Sequence, residues 1–264
     1  MPEISEESST GKAGGRVRFV LVEPQLGGNI GAAARALKNL GFRRLHLVSP
    51  RCDPLGEEAR RLARDALDVL KEARIEPDLD TALEGAASVI ATSRRKGKHR
   101  RPHRRLDRLA PEMARLAAAG EVAVIFGREA HGLSDTELDR CTHLVYFPSS
   151  EEYPSFNLAQ SVLLVAYEIR LSLDTTPPEG ELPDPPADHS SREDMYAHLE
   201  ASLRAIGFLH QDTAEPMMRR IRRMFGKATL THEDVQILRG VARQTLWLAR
   251  QAGVPVPNDG EGKG

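Results

Sequence analysis

The residues of this sequence best suited to chemistry fall in three short stretches. The first, EPQLGGNIGAAARALKNLGF from Glu23 to Phe42, sets Asn29 and Arg35 in a glycine- and alanine-rich run behind the apolar residues Phe19 to Val22. Arg35 has three alanines before it and one after, which clears space around its guanidinium. Planar, permanently charged donors of this kind suit phosphate and hydroxyl oxygens. The second stretch, VAVIFGREAHGL from Val122 to Leu133, ends an apolar run in Gly127, Arg128 and Glu129. A glycine there lets a ligand approach the backbone. The third, YFPSSEEYPSFNLA from Tyr146 to Ala159, places Phe147, Pro154, Ser155, Phe156 and Asn157 ahead of a helical pattern. Each stretch alone has a plainer reading. Glycines pack strand-to-helix turns, and Ser155 or Asn157 is ordinary helix-start chemistry.

Several ligand chemistries fit poorly. In the dinucleotide fingerprint G-x-G-x-x-G, Leu26 takes the place of the first glycine of Leu26-Gly27-Gly28-Asn29-Ile30-Gly31, and no Walker lysine follows. No group of His, Cys, Asp or Glu has metal-ligand spacing, so no metal is expected. His131 and His143 read as surface or core residues. By contrast, Ser93 to Arg108 carries nine Lys or Arg in sixteen residues against one acid, in a chain of net charge −1. Arg94, Arg95, Lys96, Arg100 and Arg101 lie in this run. Local cationic excess of this kind binds nucleic-acid phosphate by releasing counterions. A second run, Met217 to Arg223, either grips RNA or keeps a helical bundle soluble, and the sequence favours neither.

Elements that would position these residues follow from the patterning. With 264 residues, 40% hydrophobic and 28% charged, the chain holds one large domain or two modest ones with a packed core. Strands are expected at Arg18–Val22, Arg44–Val48, near Ile75, Ser88–Thr92, Glu121–Phe126 and His143–Phe147. Helices alternate with them at Ile30–Leu40, Glu57–Glu72, Leu79–Gly85, Ala110–Ala119, Ser134–Cys141 and Asn157–Ser172. That alternation predicts an α/β fold, a parallel sheet with helices on both faces. Residues 1–15 read as a disordered tail and 16–173 as the α/β domain. Residues 174–190 read as a Pro-rich linker, 191–252 as a small all-helical domain and 253–264 as a second tail. Its helices are expected at Glu193–Ile206, Glu215–Phe225 and His232–Gln251, capped by Ser191 and by Thr231 with an acid in the capping-box position. Two isolated cysteines, no signal-peptide pattern and no apolar run of membrane-spanning length make a reduced cytosol the expected location.

Taken together, NIGAAARALKNLGF, FGREAHGL and YPSFNLAQSVLLVAYE resemble the SPOUT class of RNA methyltransferases, within it the TrmH-like ribose 2′-O-methyltransferases and most of all the TrmJ type. HLEASLRAIGF and ILRG resemble the helical extension of that type. The resemblance implies a deep C-terminal trefoil knot around the strands ending at Thr92, Phe126 and Phe147, an exception to the rule that chains avoid threading loops. It implies S-adenosylmethionine held by Thr92, Ser93, Arg94, Gly127, Phe147, Pro154, Ser155 and Phe156, the last standing where leucine is commoner. It implies a homodimer whose sites are completed by the partner's motif-one arginine. The implied substrate is tRNA, methylated on a cytidine or uridine ribose at the start of the anticodon loop. Arg35 would contact the target ribose or its phosphate. It would either orient the hydroxyl and stabilise its developing charge, or take the proton directly in a dry site. Asn29 would fix the motif-one loop or Arg35, Asn157 would brace the loops, and Arg128 and Glu129 would meet RNA phosphate and the arginine network. Another RNA, such as ribosomal RNA, a non-catalytic RNA-binding protein on the same fold, and a nucleotide-dependent oxidoreductase are the other readings.

Overall fold

The computed structural model describes residues 13–93, 103–175, 186–226 and 228–256. These residues group into two compact units, one within Met1–Pro183 and one within Asp184–Gly264.

The first unit is a seven-stranded sheet in which every pairing is parallel. Its strands are β1 (Val17–Val22), β2 (Arg44–Val48), β3 (Arg74–Glu76), β4 (Ser88–Thr92), β5 (His103–Arg105), β6 (Val122–Phe126) and β7 (His143–Tyr146), in the order β3-β2-β1-β6-β4-β7-β5. All residues of β1 and β6 are buried. Parallel strands covered on both faces need such continuous apolar runs. Alternation along β1 then divides the core. Phe19 and Leu21 join the cluster beneath α1 (Gly27–Asn39), α5 (Leu106–Ala119) and α7 (Leu158–Thr175). Val20 and Val22 join the cluster beneath α4 (Leu79–Leu83) and α6 (Asp135–Asp139). α7 buries Val162, Val165, Ala166 and Ile169 at helical spacing.

Three expectations change. The helix foreseen over Glu57–Glu72 is broken into α2 (Glu57–Ala63), a 3₁₀ turn (Arg64–Ala66) and α3 (Leu67–Lys71), with Arg64 at a φ of 47° where the helix breaks. The end of the basic run is not loop: His103–Arg105 forms the edge strand β5, paired with β7. α5 starts at Leu106, four residues ahead of the expected Ala110. Pro111 therefore lies inside it, beyond the first turn where proline costs least.

A buried polar network crosses β1 and β2. Arg18 donates to the carbonyls of Ala82 (3.1 Å) and Glu84 (3.0 Å) and pairs with Glu121, which also holds Arg44. His46 meets Glu76 at 3.1 Å. Burial, aided by the charge of Arg18, pushes the His46 pKa down to about 4. In the unfolded chain it returns to about 6.5. The contribution of the neutral imidazole is thus full above pH 6.5 and is lost as pH falls towards 4, where only the unfolded chain takes up the proton. Thermal melts between pH 4 and pH 7 should lose on the order of 2–3 kcal/mol to this group. His46→Gln should flatten that part of the profile; an unchanged slope would refute the assignment.

The second unit comprises α8 (His189–Ala205), α9 (Ala214–Phe225) and α10 (His232–Gln251) around Met195, Tyr196, Leu209, Met218 and Val235. Asp188, not Ser191, caps α8, accepting from the Ser191 N–H at 2.7 Å. Thr231 and Asp234 form the foreseen capping box of α10. α7 runs through Asp174 to Thr175 and α8 begins at His189; residues 176–185 of the expected linker lie outside the described residues.

Candidate active site

The loops that follow β1, β4, β6 and β7 leave the sheet at its carboxyl edge, where parallel α/β sheets bind ligands. β1 ends in Glu23, held at a φ of 45°. Its carboxylate accounts for this strained conformation: one oxygen accepts from Arg128 at 2.7 Å and the other from Arg51 at 3.0 Å. Arg128 also donates both terminal nitrogens to Glu137, at 3.0 and 3.1 Å. These bonds hold the Glu23 carboxyl below its usual range, Arg128 contributing most and Arg51 next. Burial opposes ionisation of Glu137, but Arg128 and the Ser134 N–H outweigh it and lower its pKa. Arg128 therefore has its charge balanced within the fold.

Arg128 fixes its neighbour Glu129, whose carboxylate accepts the backbone N–H of Gln25 (3.1 Å) and of Leu26 (3.4 Å) and the Asn29 amide (2.9 Å). Asn29 in turn accepts from the Asn157 amide at 2.8 Å. The Asn157 side-chain oxygen caps α7, accepting from Ala159 N–H at 2.9 Å. Asn157 is thus both helix cap and brace, and Ser155 takes no part in the cap. One chain of hydrogen bonds, Asn157–Asn29–Glu129, ties all three sequence stretches together.

Beside it opens a cavity of about 430 Å³ whose walls include Thr92, Ser93, Gly127, Phe147, Pro154, Ser155 and Phe156. Phe147 and Phe156 meet edge to face, their ring centroids 5.6 Å apart. Thr92 and Ser93 are anchored by bonds to the Ile125 and Val145 carbonyls. Gly127 turns so tightly that an added Cβ would lie 2.2 Å from the Gly132 carbonyl carbon. The volume and the mixture of rings with backbone amides and hydroxyls fit a drug-sized cofactor. Cys52 stands next to the motif-one loop, its Sγ 3.6 Å from the Pro24 carbonyl. Burial, with Glu129 nearby, pushes its thiol pKa up, which argues against a thiolate nucleophile.

Arg35 is not drawn into this cluster. It lies on α1 nearly two turns beyond Asn29, exposed, with no hydrogen-bond or ion-pair partner among the described residues. Arg94, Arg95, Lys96, Arg100 and Arg101 lie outside the described residues. In the described remainder of the basic run, Arg104 pairs with Glu112 and Arg105 with Asp107. On α9, Arg222 is taken up by Glu193 and stacks 4.3 Å over Tyr196, and Arg219 pairs with Glu215. Sequence reasoning missed Glu23 and Glu137. A signal for Glu137 was present, since Ser134-x-x-Glu137 is a capping-box spelling; nothing in sequence marked Glu23 as its partner across Arg128.

The chain is similar to known proteins. The family model of the SpoU rRNA Methylase family matches residues 16–167, and that of the tRNA methyltransferase TrmJ C-terminal domain matches residues 191–254; the chain belongs to the SpoU methylase family. Its relatives include the tRNA (cytidine/uridine/adenosine-2′-O-)-methyltransferase TrmJ of Pseudomonas aeruginosa, 39% identical over 89% of this chain and 95% of that protein. The tRNA (cytidine/uridine-2′-O-)-methyltransferase TrmJ of Escherichia coli K12 is 37% identical over 85% of this chain and 93% of its own length. The crystal structure of TrmJ from Z. mobilis ZM4 superposes with a TM-score of 0.75 at 33% identity, covering 86% of this chain and 97% of that one.

Proposed function

We propose that this protein transfers the methyl group of S-adenosylmethionine to a ribose 2′-hydroxyl of tRNA, on a cytidine or uridine at the start of the anticodon loop. The observation that carries this reading is the Asn157–Asn29–Glu129 chain beside the cavity, in a protein alike in sequence to tRNA 2′-O-methyltransferases over most of its length. The cofactor supplies an electrophilic methyl on a sulfonium. Phe147 and Phe156 pack on its base, and Thr92, Ser93, Gly127, Pro154 and Ser155 shape the pocket. Arg94 joins the cofactor-binding set, and Arg95, Lys96, Arg100 and Arg101 supply cationic reach for the tRNA backbone. Arg128 acts through Glu129, which holds the motif-one loop rigid. Arg35 orients the ribose hydroxyl and stabilises the negative charge that develops on it as its proton leaves to water or a phosphate oxygen. Orientation of this kind supplies up to roughly 7–11 kcal/mol in the most favourable intramolecular cases.

We further infer a homodimer in which each Arg35 serves the partner's pocket. Two observations support it. Arg35 is open and unpartnered in the single chain, and α7, which packs on α1, exposes Leu163 (44%) and Tyr167 (49%) on the side away from the sheet. An apolar stripe of this kind marks a protein interface. A deep knot formed around the ends of β4, β6 and β7 belongs to the same reading, since those strands are neighbours in the sheet and line the cavity together. No described helix is long and apolar enough to cross a membrane, and both cysteines are free thiols, which supports a cytoplasmic enzyme. The test is nucleoside mass spectrometry of unmodified tRNA transcripts incubated with the protein and S-adenosylmethionine. A new 2′-O-methylnucleoside is expected at one position of the anticodon loop. Its absence while ribosomal RNA is methylated would move the substrate and leave the reaction.

A further inference from the structure

The sole tryptophan of the chain, Trp247, lies 55% exposed on α10. Helical spacing divides that helix into faces. Val235, Ala242, Leu246 and Ala249 are buried. Next to them run Gln236, Arg239, Arg243, Trp247 and Arg250, a strip at steps of three and four residues, so that the indole is flanked by guanidinium groups along the axis. From Gln236 to Gln251 the helix has three arginines and no carboxylate. Elsewhere in this unit Arg204 pairs with Glu200, Arg219 with Glu215 and Arg222 with Glu193, while Arg220 has no ion-pair partner among the described residues. Arg239 and Arg243 have no hydrogen-bond or ion-pair partner among the described residues. Favourable alignment with the helix dipole accounts for Arg250 in the last turn, but not for Arg239 and Arg243 in the middle. Solubility accounts for arginines on a surface, but not for a bare indole between them.

We propose that this strip is a stacking platform for an unpaired nucleotide of the substrate RNA, with Trp247 against the base and Arg239 and Arg243 on the flanking phosphates. An aromatic face in line with unpaired cations is the chemistry that binds single-stranded nucleic acid. The inference rests on the reading above that RNA is the substrate, and it places an RNA contact in the second unit, on α10 rather than on the cationic run of α9.

Because Trp247 is the only tryptophan, its fluorescence reports on this site alone. Titration of the full chain with a short oligouridylate, and with tRNA, should quench it saturably. Trp247→Ala should raise the KM for tRNA about tenfold or more while leaving kcat within about twofold, and Trp247→Phe should restore most of the loss. Arg239→Ala with Arg243→Ala should weaken binding and reduce the slope of log Kd against log salt by about one to two. Melting temperatures of these surface variants should stay at the wild-type value. If tRNA is methylated at the normal rate with Trp247 unquenched, the platform is refuted and the enzyme stands. Trp247→Phe as weak as Trp247→Ala also refutes stacking, and an acidic peptide quenching in place of RNA assigns the strip to a protein partner. Loss of methylation in the wild type is the separate result that sinks the proposed function.

Discussion

Arg35→Ala should abolish methyl transfer while leaving cofactor affinity within about twofold of wild type. The guanidinium lies outside the cavity wall and outside the Asn157–Asn29–Glu129 chain, so its removal disturbs neither. Exposed on α1, it contributes little to stability, and alanine is the better helix former at that position. Loss of a group that stabilises developing charge costs about 10²–10³-fold in kcat. Arg35→Lys should recover little, because an ammonium lacks the planar fork. The measurement is single-turnover methylation of tRNA beside calorimetric titration of S-adenosylmethionine. Turnover near wild type in Arg35→Ala would remove the residue from the reaction; loss of cofactor binding would show that it shapes the pocket instead.

Gly127→Ala should fail at the opposite step. Glycine is required there for space: the new methyl would lie 2.2 Å from the Gly132 carbonyl carbon and 2.3 Å from the Leu133 nitrogen, both backbone atoms that cannot swing aside. The turn between β6 and Leu133 must open, and the cavity wall moves with it. Overpacking of this kind costs about 1–3 kcal/mol. Cofactor affinity should fall about 10- to 100-fold and the melting temperature by a few degrees. The two inactive variants then test the proposed shared site. If the proposed dimer forms, the intact pocket of the Arg35→Ala chain would face the intact Arg35 of the Gly127→Ala chain in a mixed dimer. Mixing and re-equilibrating them should restore a substantial fraction of activity. A mixture as inactive as its components would show that each Arg35 serves its own chain.

Much of this architecture is local in origin, and therefore legible. β6 announces itself as an unbroken apolar run and β1 as one interrupted only by Arg18, a pattern that suits a sheet covered on both faces. The helix packed over them is equally visible in the spacing of Val162, Val165 and Ile169. The three chemical stretches could be picked out because they occur together and in order; each alone had a plainer reading. The cap of α10 was legible because a capping box spans four consecutive residues. Where an element depends on its neighbours, the reading failed. β5 is three residues of a cationic run and has no strand signature of its own; pairing with β7 supplies its hydrogen bonds. The helix expected to run over Glu57–Glu72 is interrupted at Arg64, where φ is 47°, and no local sequence signal marks the break.

The site divides in the same way. Sequence alone determined which residue types stand at the carboxyl ends of the strands, because composition and order along the chain fix that. Tertiary structure decided what each does. Arg128, free by sequence, is neutralised by Glu23 and Glu137, which lie 105 and 9 residues away along the chain. Asn157 is a helix cap that also reaches Asn29 across 128 residues. Arg35, set apart in the sequence by the alanines around it, is left without a partner among the described residues. A charge in a folded chain is neutral or available according to what lies within hydrogen-bond distance of it, and that distance is set by how the sheet brings its loops together, not by separation along the chain.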